Sequence, residues 1–445
     1  MKRLFIILVD LIAVYGGILM TFDFLEGRLE QHNVEAFYTI APFIGLLYLI
    51  FMYVYGLYNM ERMSLQEVIY IVFLISISLT LSIMAVCFFV RNIAFSYPRS
   101  VIFLSMIVYF VLLSIWRCLI WKIDKKSHGI RPVAIIGNAD ATILAQKIQL
   151  KYRDIYQVKI VCEENDPGLF FHLENISEIF ITSEVNETIR ERLFFYAIEN
   201  EKQVFFVPKY SDIGIMNSVM FKTNDIPTYR IPKLGLSPEE QFIKRVYDLF
   251  FTLIAVIVSF PIGVIVALLV KLDGGPVFYK QQRCTISGNL FNVLKFRTMI
   301  PDAERMSGPV LAGENDPRIT KIGHFLRATR LDELPQLINI LKGDMSIVGP
   351  RPERPYFVRS FEKNTPEYRY RMKVKAGLTG LAQVYGKYNT SSDEKLRYDL
   401  IYINNYTLLR DFLICLQTIK ILFLKESTQG LVNPSDGSET ESTTK

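Results

Sequence analysis

Arg327-Ala-Thr-Arg330-Leu-Asp332-Glu333-Leu-Pro335-Gln336-Leu-Ile-Asn339-Ile-Leu-Lys342-Gly343-Asp344-Met-Ser346-Ile-Val-Gly349-Pro350-Arg351-Pro352-Glu353 is the densest run of charge and backbone punctuation in the chain. Asp332 and Glu333 stand just before Pro335, a residue favoured in the first turn of a helix, and acidic side chains are favoured at that positive end. Leu337, Ile338 and Leu341 then fit one buried helix face. Gly349-Pro350-Arg351-Pro352 reads as a rigid turn. Taken as structure alone, Asp332 is a helix cap and Glu333 a surface charge, and Arg327 and Arg351 have no task. Taken as chemistry, adjacent carboxylates bind one Mg²⁺ through oxygen or divide the roles of nucleophile and metal ligand. The arginines then neutralise phosphate charge.

Upstream, residues 277–283 and 288–299 read as two strands around a loop. They carry Lys280, Arg283, Lys295 and Arg297, cations able to hold phosphate oxygens. Solvated strand lysines and arginines are the ordinary alternative. Before them, residues 241–271 form an apolar run long enough to span a membrane. Three features predict that it does not cross. A crossing would put the two soluble parts on opposite faces. Lys244 and Arg245 precede the run while Lys271, Lys280 and Arg283 follow it, so both ends read as cytoplasmic. Pro261 should kink the helix, with Ser259 satisfying a freed backbone group. The expectation is a broken, re-entrant helix over about 246–270, with its break at Ser259 and Pro261; a kinked transmembrane helix is the competing structure.

The chain has 445 residues, about half of them hydrophobic, concentrated in the first 120 and again at 246–270. Residues 4–22, 38–58, 65–90 and 101–121 are each long enough to cross about 30 Å of hydrocarbon. Lys2 and Arg3 precede this block; Lys122, Lys125, Lys126 and Arg131 follow it; the first loop is acidic. Both ends of residues 1–122 are therefore expected on the cytoplasmic side, although Arg91 and Arg99 run against the rule. No small-residue cleavage pattern follows the first run, so it reads as a retained helix and not a signal peptide. Asp10 within it is a candidate functional acid, or a partner for a polar group on a neighbouring helix.

Residues 130–232 alternate short apolar runs with helical spacing, which predicts a Rossmann-like parallel α/β domain. Its first turn keeps one glycine, Gly137, with Ala139 and Thr142 in the other two places of a dinucleotide fingerprint, so a bound dinucleotide is not expected. Prolines 227, 232 and 238 mark the linker onward. The five cysteines form no Cys-x-x-Cys pair and read as reduced. A net charge of +6 suits anionic headgroups or phosphorylated substrates and does not call for nucleic acid. Residues 404–425 fit an amphipathic interfacial helix, with a core helix as the alternative. Residues 426–445 are Ser-, Thr- and Gly-rich and predicted to be disordered.

Lys295-Phe-Arg-Thr-Met299, Asp332-Glu333-Leu-Pro-Gln336, Asn339, Gly343-Asp-Met-Ser346 and Val348-Gly-Pro-Arg-Pro352 together closely resemble the bacterial sugar transferase family, the polyprenyl-phosphate glycosyl-1-phosphate transferases. The resemblance continues through Lys375–Val384 and Asp399–Tyr402 and covers residues 241–425; four membrane helices and a Rossmann-like domain ahead of it match the large branch. It implies a multi-pass enzyme of the bacterial inner membrane with a cytoplasmic catalytic domain. Such an enzyme moves a hexose-1-phosphate, glucose or galactose by preference, from a UDP-sugar to undecaprenyl phosphate and releases UMP. This would be the first membrane step of capsule or exopolysaccharide synthesis. It also implies that Asp332 attacks the sugar-bearing phosphate, that Glu333 holds Mg²⁺, that Lys295, Arg327 and Arg351 bind phosphate, and that Asp399 is a later acidic position of the site. Lys375 and Lys387 stand where many members have arginine, which keeps charge without the planar fork. A homodimer is compatible with the resemblance. A membrane-anchored nucleotide-sugar epimerase or dehydratase and a non-catalytic assembly scaffold are the other function classes. The expected architecture is a membrane helical bundle, a Rossmann-like domain, and an α/β catalytic domain anchored by the re-entrant helix.

Overall fold

The computed structural model describes residues 2–26, 31–89, 99–300, 316–387 and 390–422. The expected disordered tail, 426–445, lies outside them. Contacts divide the chain into two units, Met1–Pro208 and Lys209–Lys445.

In the first unit the four expected spans are helices: α1 (Lys2–Glu26), α2 (Gln31–Val54), α3 (Leu65–Phe89) and α4 (Arg99–His128). Helix α4 packs on α1 and α3, and α2 packs on α3. Asp10 is fully buried and ion-paired with Arg117 of α4, whose Nε donates to it at 3.0 Å. Asp10 thus answers a polar group on a neighbouring helix, which removes the penalty for an unpaired charge in hydrocarbon.

A four-stranded parallel sheet follows, ordered β2-β1-β3-β4. Its strands are β1 (Arg131–Ile136), β2 (Tyr156–Cys162), β3 (Glu178–Ile181) and β4 (Gln203–Phe206). Strand β1 sends Ala134 and Ile136 to one face, against Leu193 and Ala197 of helix Glu187–Glu199. It sends Val133 and Ile135 to the other, against Ala141 and Ile148 of helix Ala139–Tyr152. A strand buried on both faces reads as an unbroken apolar run, which is why β1 was visible in the sequence.

The second unit begins earlier than the sequence suggests. Residues 209–230, expected within the 130–232 domain, belong to it: helix α5 (Tyr210–Ile215) buries Ile213 against Leu396 and Leu400. Asn404 Nδ2 donates to the Ile213 carbonyl at 2.6 Å, and Asn217 Nδ2 donates to the Asn404 carbonyl at 2.8 Å. The antiparallel hairpin Val219–Thr223/Ile226–Arg230 comes next.

Helix α6 (Pro238–Leu272) opens on a capping box. Ser237 Oγ accepts from Glu240 N and Glu240 accepts from Ser237 N, with Pro238 in the first turn. The expected break is corrected: the helix runs unbroken through Ser259 and Pro261. One proline removes a single N–H donor and need not end a helix of 35 residues. Lys244, Asp248, Thr252, Val266 and Val270 form its buried face. Phe250, Ile257, Val258, Phe260 and Leu268 are exposed on its other sides. The buried face touches one α/β body along its length. Arg245 donates to the Ile340 and Leu341 carbonyls, Ala255 and Val256 pack near Phe291 and Val293, and Val266 and Val270 pack against Phe296 and Leu326.

That body holds the antiparallel pair β5 (Phe278–Cys284) and β6 (Leu290–Phe296), helix α7 (Lys321–Thr329), helix α8 (Gln336–Lys342), and the parallel pair β7 (Ser346–Val348) and β8 (Gly377–Thr379). Helix α9 (Ser392–Asn404) and helix α10 (Leu408–Leu422) close it. Helix α10 buries Ile414 and Asp411 while Leu409, Phe412 and Ile419 are exposed, the amphipathic character expected of it.

Candidate active site

The site is assembled where β6, the turn after α7, and the loop after β7 converge. Helix α7 starts at Thr320, whose Oγ1 accepts from Gly323 N at 3.0 Å. It ends at Arg330, which takes the left-handed conformation (φ 57°). A side chain pays strain to sit there; the effect is a sharp reversal that delivers Leu331, Asp332 and Glu333 as one 3-10 turn ahead of α8. Leu331 and Leu334 pack toward Val266 and Val270 of α6. Both acids therefore stand at the positive end of α8, as the Pro335 signature implies.

Lys295 Nζ lies 2.6 Å from Glu333 Oε1 and 4.0 Å from Asp332 Oδ2. Arg351 Nη2 donates to the same Glu333 Oε1 at 2.9 Å. Lys295 is placed by Asn339 of the motif, which is buried: its Oδ1 accepts from Leu294 N and its Nδ2 donates to the Asn292 carbonyl, both at 2.9 Å. Asn339→Ala is expected to cost about 2 kcal/mol by leaving these two strand groups unpaired. The check is a lowered melting temperature in detergent.

Burial pushes the Asp332 carboxyl up, and the neighbouring Glu333 charge adds to the rise against the pull of Lys295. Burial would raise Glu333 too, but Arg351 and Lys295 outweigh it and hold it well below the usual carboxylate range. Glu333 in turn tightens the proton on Arg351. Two neighbouring acids are thereby split into one held in the charged form and one whose carboxyl is pushed up.

Arg327 joins this field from α7: its Nε donates to Thr298 Oγ1 at 2.9 Å, and its charge pulls on Asp332. Two other expected site residues are placed elsewhere. Arg297 is buried and its guanidinium is spent on backbone carbonyls: Pro276 at 2.9 Å, Val270 at 3.2 Å, and Gly274. It clamps the end of α6 to the strand pair. A cation just past a strand gives no sequence sign of this, since the carbonyls it finds are distant in pattern. Asp399 is also buried, paired with Arg371, whose Nη2 lies 2.8 Å from Asp399 Oδ2. That arginine links it to the Arg351 carbonyl.

Arg371, which the sequence analysis did not single out, is tied to the backbone of Arg351. It is buried, takes Asp399 through Nε at 3.0 Å and the Tyr368 hydroxyl through Nη1 at 2.5 Å, and donates from Nη2 to the Arg351 carbonyl at 2.9 Å. Arg283 also belongs here, lining a shallow cleft with Lys295, Glu333, Gln336, Arg351 and Pro352. The sequence flagged Arg283 only as one of several strand cations. Lys375 lies apart: its ionic neighbours are Arg245, Asp248 and Asp344, and burial together with Arg245 pushes its pKa down.

Burial raises Asp399 to about 6 despite Arg371. Between its ordinary value of 3.8 and about 6 the folded chain holds a proton that the unfolded chain has released. This group alone therefore makes the fold more stable as pH falls through that window. Activity should move the other way, because the ionised carboxylate is what holds Arg371. The expected result is a kcat that falls as pH drops through about 6, measured across about pH 5 to 8.

The oxygen donors also suit Mg²⁺, which is bound by one or two carboxylates and completed by substrate phosphates and water. Both cation contacts of Glu333 end on Oε1, so Oε2 and the Asp332 carboxylate remain as candidate ligands. Among the described residues no group of three or more His, Cys, Asp or Glu side chains gathers as a complete protein cage.

A cationic acid-pair site beside a long apolar helix suits a membrane-associated domain that handles a phosphate ester. The family model described as "Bacterial sugar transferase" matches residues 239–425. A Bacillus subtilis (strain 168) protein, provisionally named an undecaprenyl-phosphate N-acetylgalactosaminyl 1-phosphate transferase, is 47% identical over 29% of this chain and 73% of its own length. The chain belongs to the bacterial sugar transferase family. It is also 31% identical to the undecaprenyl-phosphate galactose phosphotransferase of Salmonella typhimurium, over 59% of this chain and 58% of that one. It is 34% identical to the UDP-glucose:undecaprenyl-phosphate glucose-1-phosphate transferase of Escherichia coli (strain K12), over 56% and 53%. The chain spans between half and three fifths of these two curated relatives.

Proposed function

We infer that this chain transfers a hexose-1-phosphate from a UDP-sugar to undecaprenyl phosphate and releases UMP, at the cytoplasmic face of the bacterial inner membrane. The carrying observation is the division of the acid pair: Glu333 clamped by Lys295 and Arg351, Asp332 beside it without such a clamp and raised by burial. A Asp332 carboxylate oxygen attacks the sugar-bearing phosphorus, and the bond from that phosphorus to the oxygen bridging the UMP phosphate breaks. UMP leaves with the electron pair. An undecaprenyl phosphate oxygen then attacks the same phosphorus, the bond to Asp332 breaks, and the carboxylate is restored. Lys295, Arg327 and Arg351 spread the phosphate charge throughout. Glu333 would hold Mg²⁺, which would supply further charge neutralisation on the diphosphate.

The two ends of α6 are tied to one body, and a bend at Pro261 within the continuous helix would let it enter and leave by the same face. Its N-terminal half grips the Ile340–Leu341 carbonyls and its C-terminal end is gripped by Arg297, all within one α/β body. Straight, its 35 residues span about 52 Å, so a crossing would carry one end of that body away from the other. The four-stranded domain ahead is read as Rossmann-like, with a structural or regulatory role.

The names of the relatives divide between galactose, glucose and N-acetylgalactosamine. Glucose or galactose is the reading kept here. A panel of UDP-sugars, assayed for UMP release with undecaprenyl phosphate and Mg²⁺, tests it. Release with UDP-glucose or UDP-galactose is expected, and release with no panel member would overturn the transfer reading. Chelation with EDTA should abolish release, and added Mg²⁺ should restore it; activity undiminished in EDTA would remove the metal from the scheme.

A further inference from the structure

We propose that Asp248 is a positioning residue through which the lipid-facing helix α6 sets Arg351 beside Glu333; the inference rests on the phosphoglycosyl transfer reading for its kinetic consequence. Asp248 sits in an otherwise apolar stretch of α6 and is almost wholly buried. Its Oδ1 accepts two hydrogen bonds, from Ser346 Oγ and from Ile347 N, each at 3.0 Å. Both donors lie on β7, the three-residue strand that runs directly into Gly349-Pro350-Arg351.

Strand and turn form one stiff piece. Ser346 N donates to the Ala376 carbonyl, Gly349 N to the Thr379 carbonyl, and Gly377 N to the Pro350 carbonyl, at 2.8 to 2.9 Å. A Cβ at Gly349 would meet the Lys375 carbonyl oxygen at 2.4 Å, and one at Gly377 would meet Gly349 N at 2.1 Å. The two backbones are in contact there, and a shift of β7 carries Arg351 with it.

One helical turn before Asp248, Lys244 makes a second tie. It pairs with buried Asp411, whose Oδ1 accepts from the Tyr402 hydroxyl at 2.8 Å. That hydroxyl also lies 3.2 Å from the Val348 carbonyl, at the far end of β7. Burying acids inside an apolar helix is a poor way to add stability, because desolvation cancels most of the gain. It is a good way to fix register, since a carboxylate accepts these donors in one geometry only. The position of α6 against the body is thereby written into the position of a phosphate-binding arginine.

The test is a double-mutant cycle on the full chain in lipid nanodiscs: wild type, Asp248→Ala, Arg351→Ala and the double variant, assayed for UMP release with UDP-glucose and UDP-galactose. Asp248→Ala should lower kcat about 10- to 100-fold, as a displacement of order 1 Å does, with KM for the UDP-sugar within about threefold. In the Arg351→Ala background the same change should cost under about threefold, because the residue it positions is gone. Asp248→Asn, whose amide oxygen accepts the same two bonds, should stay within about threefold of wild type. Losses that multiply in the double variant, or a wild-type rate in Asp248→Ala, would overturn the proposal. Ser346→Ala removes one donor and is the milder variant, carried through the same cycle should Asp248→Ala fail to fold. Amide exchange over residues 346–351 is read in parallel. If wild type releases no UMP, the transfer reading falls by itself. Faster exchange confined to that segment in Asp248→Ala still upholds the tie, and unchanged exchange breaks it.

Discussion

Asp332→Asn should abolish UMP release, by about 10⁴-fold or more, while the protein keeps its fold. The amide is isosteric with the carboxylate and the side chain is largely buried, so packing survives. On the proposed two-step transfer, what is lost is the oxygen nucleophile. Burial raises the Asp332 carboxyl, which on that reading strengthens it as a nucleophile once ionised. Glu333 is adjacent, but its charge is bound to Lys295 and Arg351. Assay of UMP release together with a melting temperature separates chemistry from folding. A variant retaining a tenth of wild-type activity would remove Asp332 from the nucleophile role.

Arg351→Ala should lower kcat about 10²- to 10³-fold, the usual cost of deleting one charged stabiliser of a phosphoryl or acyl transition state. Two effects combine. On the proposed reading a cation that would meet the phosphate disappears, and Glu333 loses its 2.9 Å partner and keeps Lys295. Arg351→Lys should recover only part of the loss, since an ammonium keeps the charge but not the planar fork. Full activity in Arg351→Lys would show that charge alone matters there.

The acid pair was legible because it is local: Asp332 and Glu333 are adjacent, Pro335 marks the turn that presents them, and Asn339 lies one helical turn further on. Lys295 reaches Glu333 across 38 positions, and its place beside the pair was implied only by the family resemblance. The parallel sheet was legible from β1, an apolar run buried on both faces. The uninterrupted course of α6 was not, because a proline's local effect does not report the packing that holds the helix on both sides of it. The task of Arg297 was hidden for a related reason: the sequence shows a cation and never the carbonyls of Val270, Gly274 and Pro276 that receive it. The early start of the second unit depends on Asn404 reaching Ile213 across 191 positions, a contact with no local trace. Arg371 and Asp399 are separated by 28, and only the three-dimensional pairing turns an isolated arginine into a support for the site.

The covalent step is tested most directly by mixing the protein with UDP-sugar and Mg²⁺ in the absence of undecaprenyl phosphate. The expected result is a burst of about one UMP per active site, with a sugar-phosphate mass gain on the peptide that carries Asp332. UMP appearing only after the lipid is added, or an adduct on any other residue, would contradict the two-step transfer through Asp332.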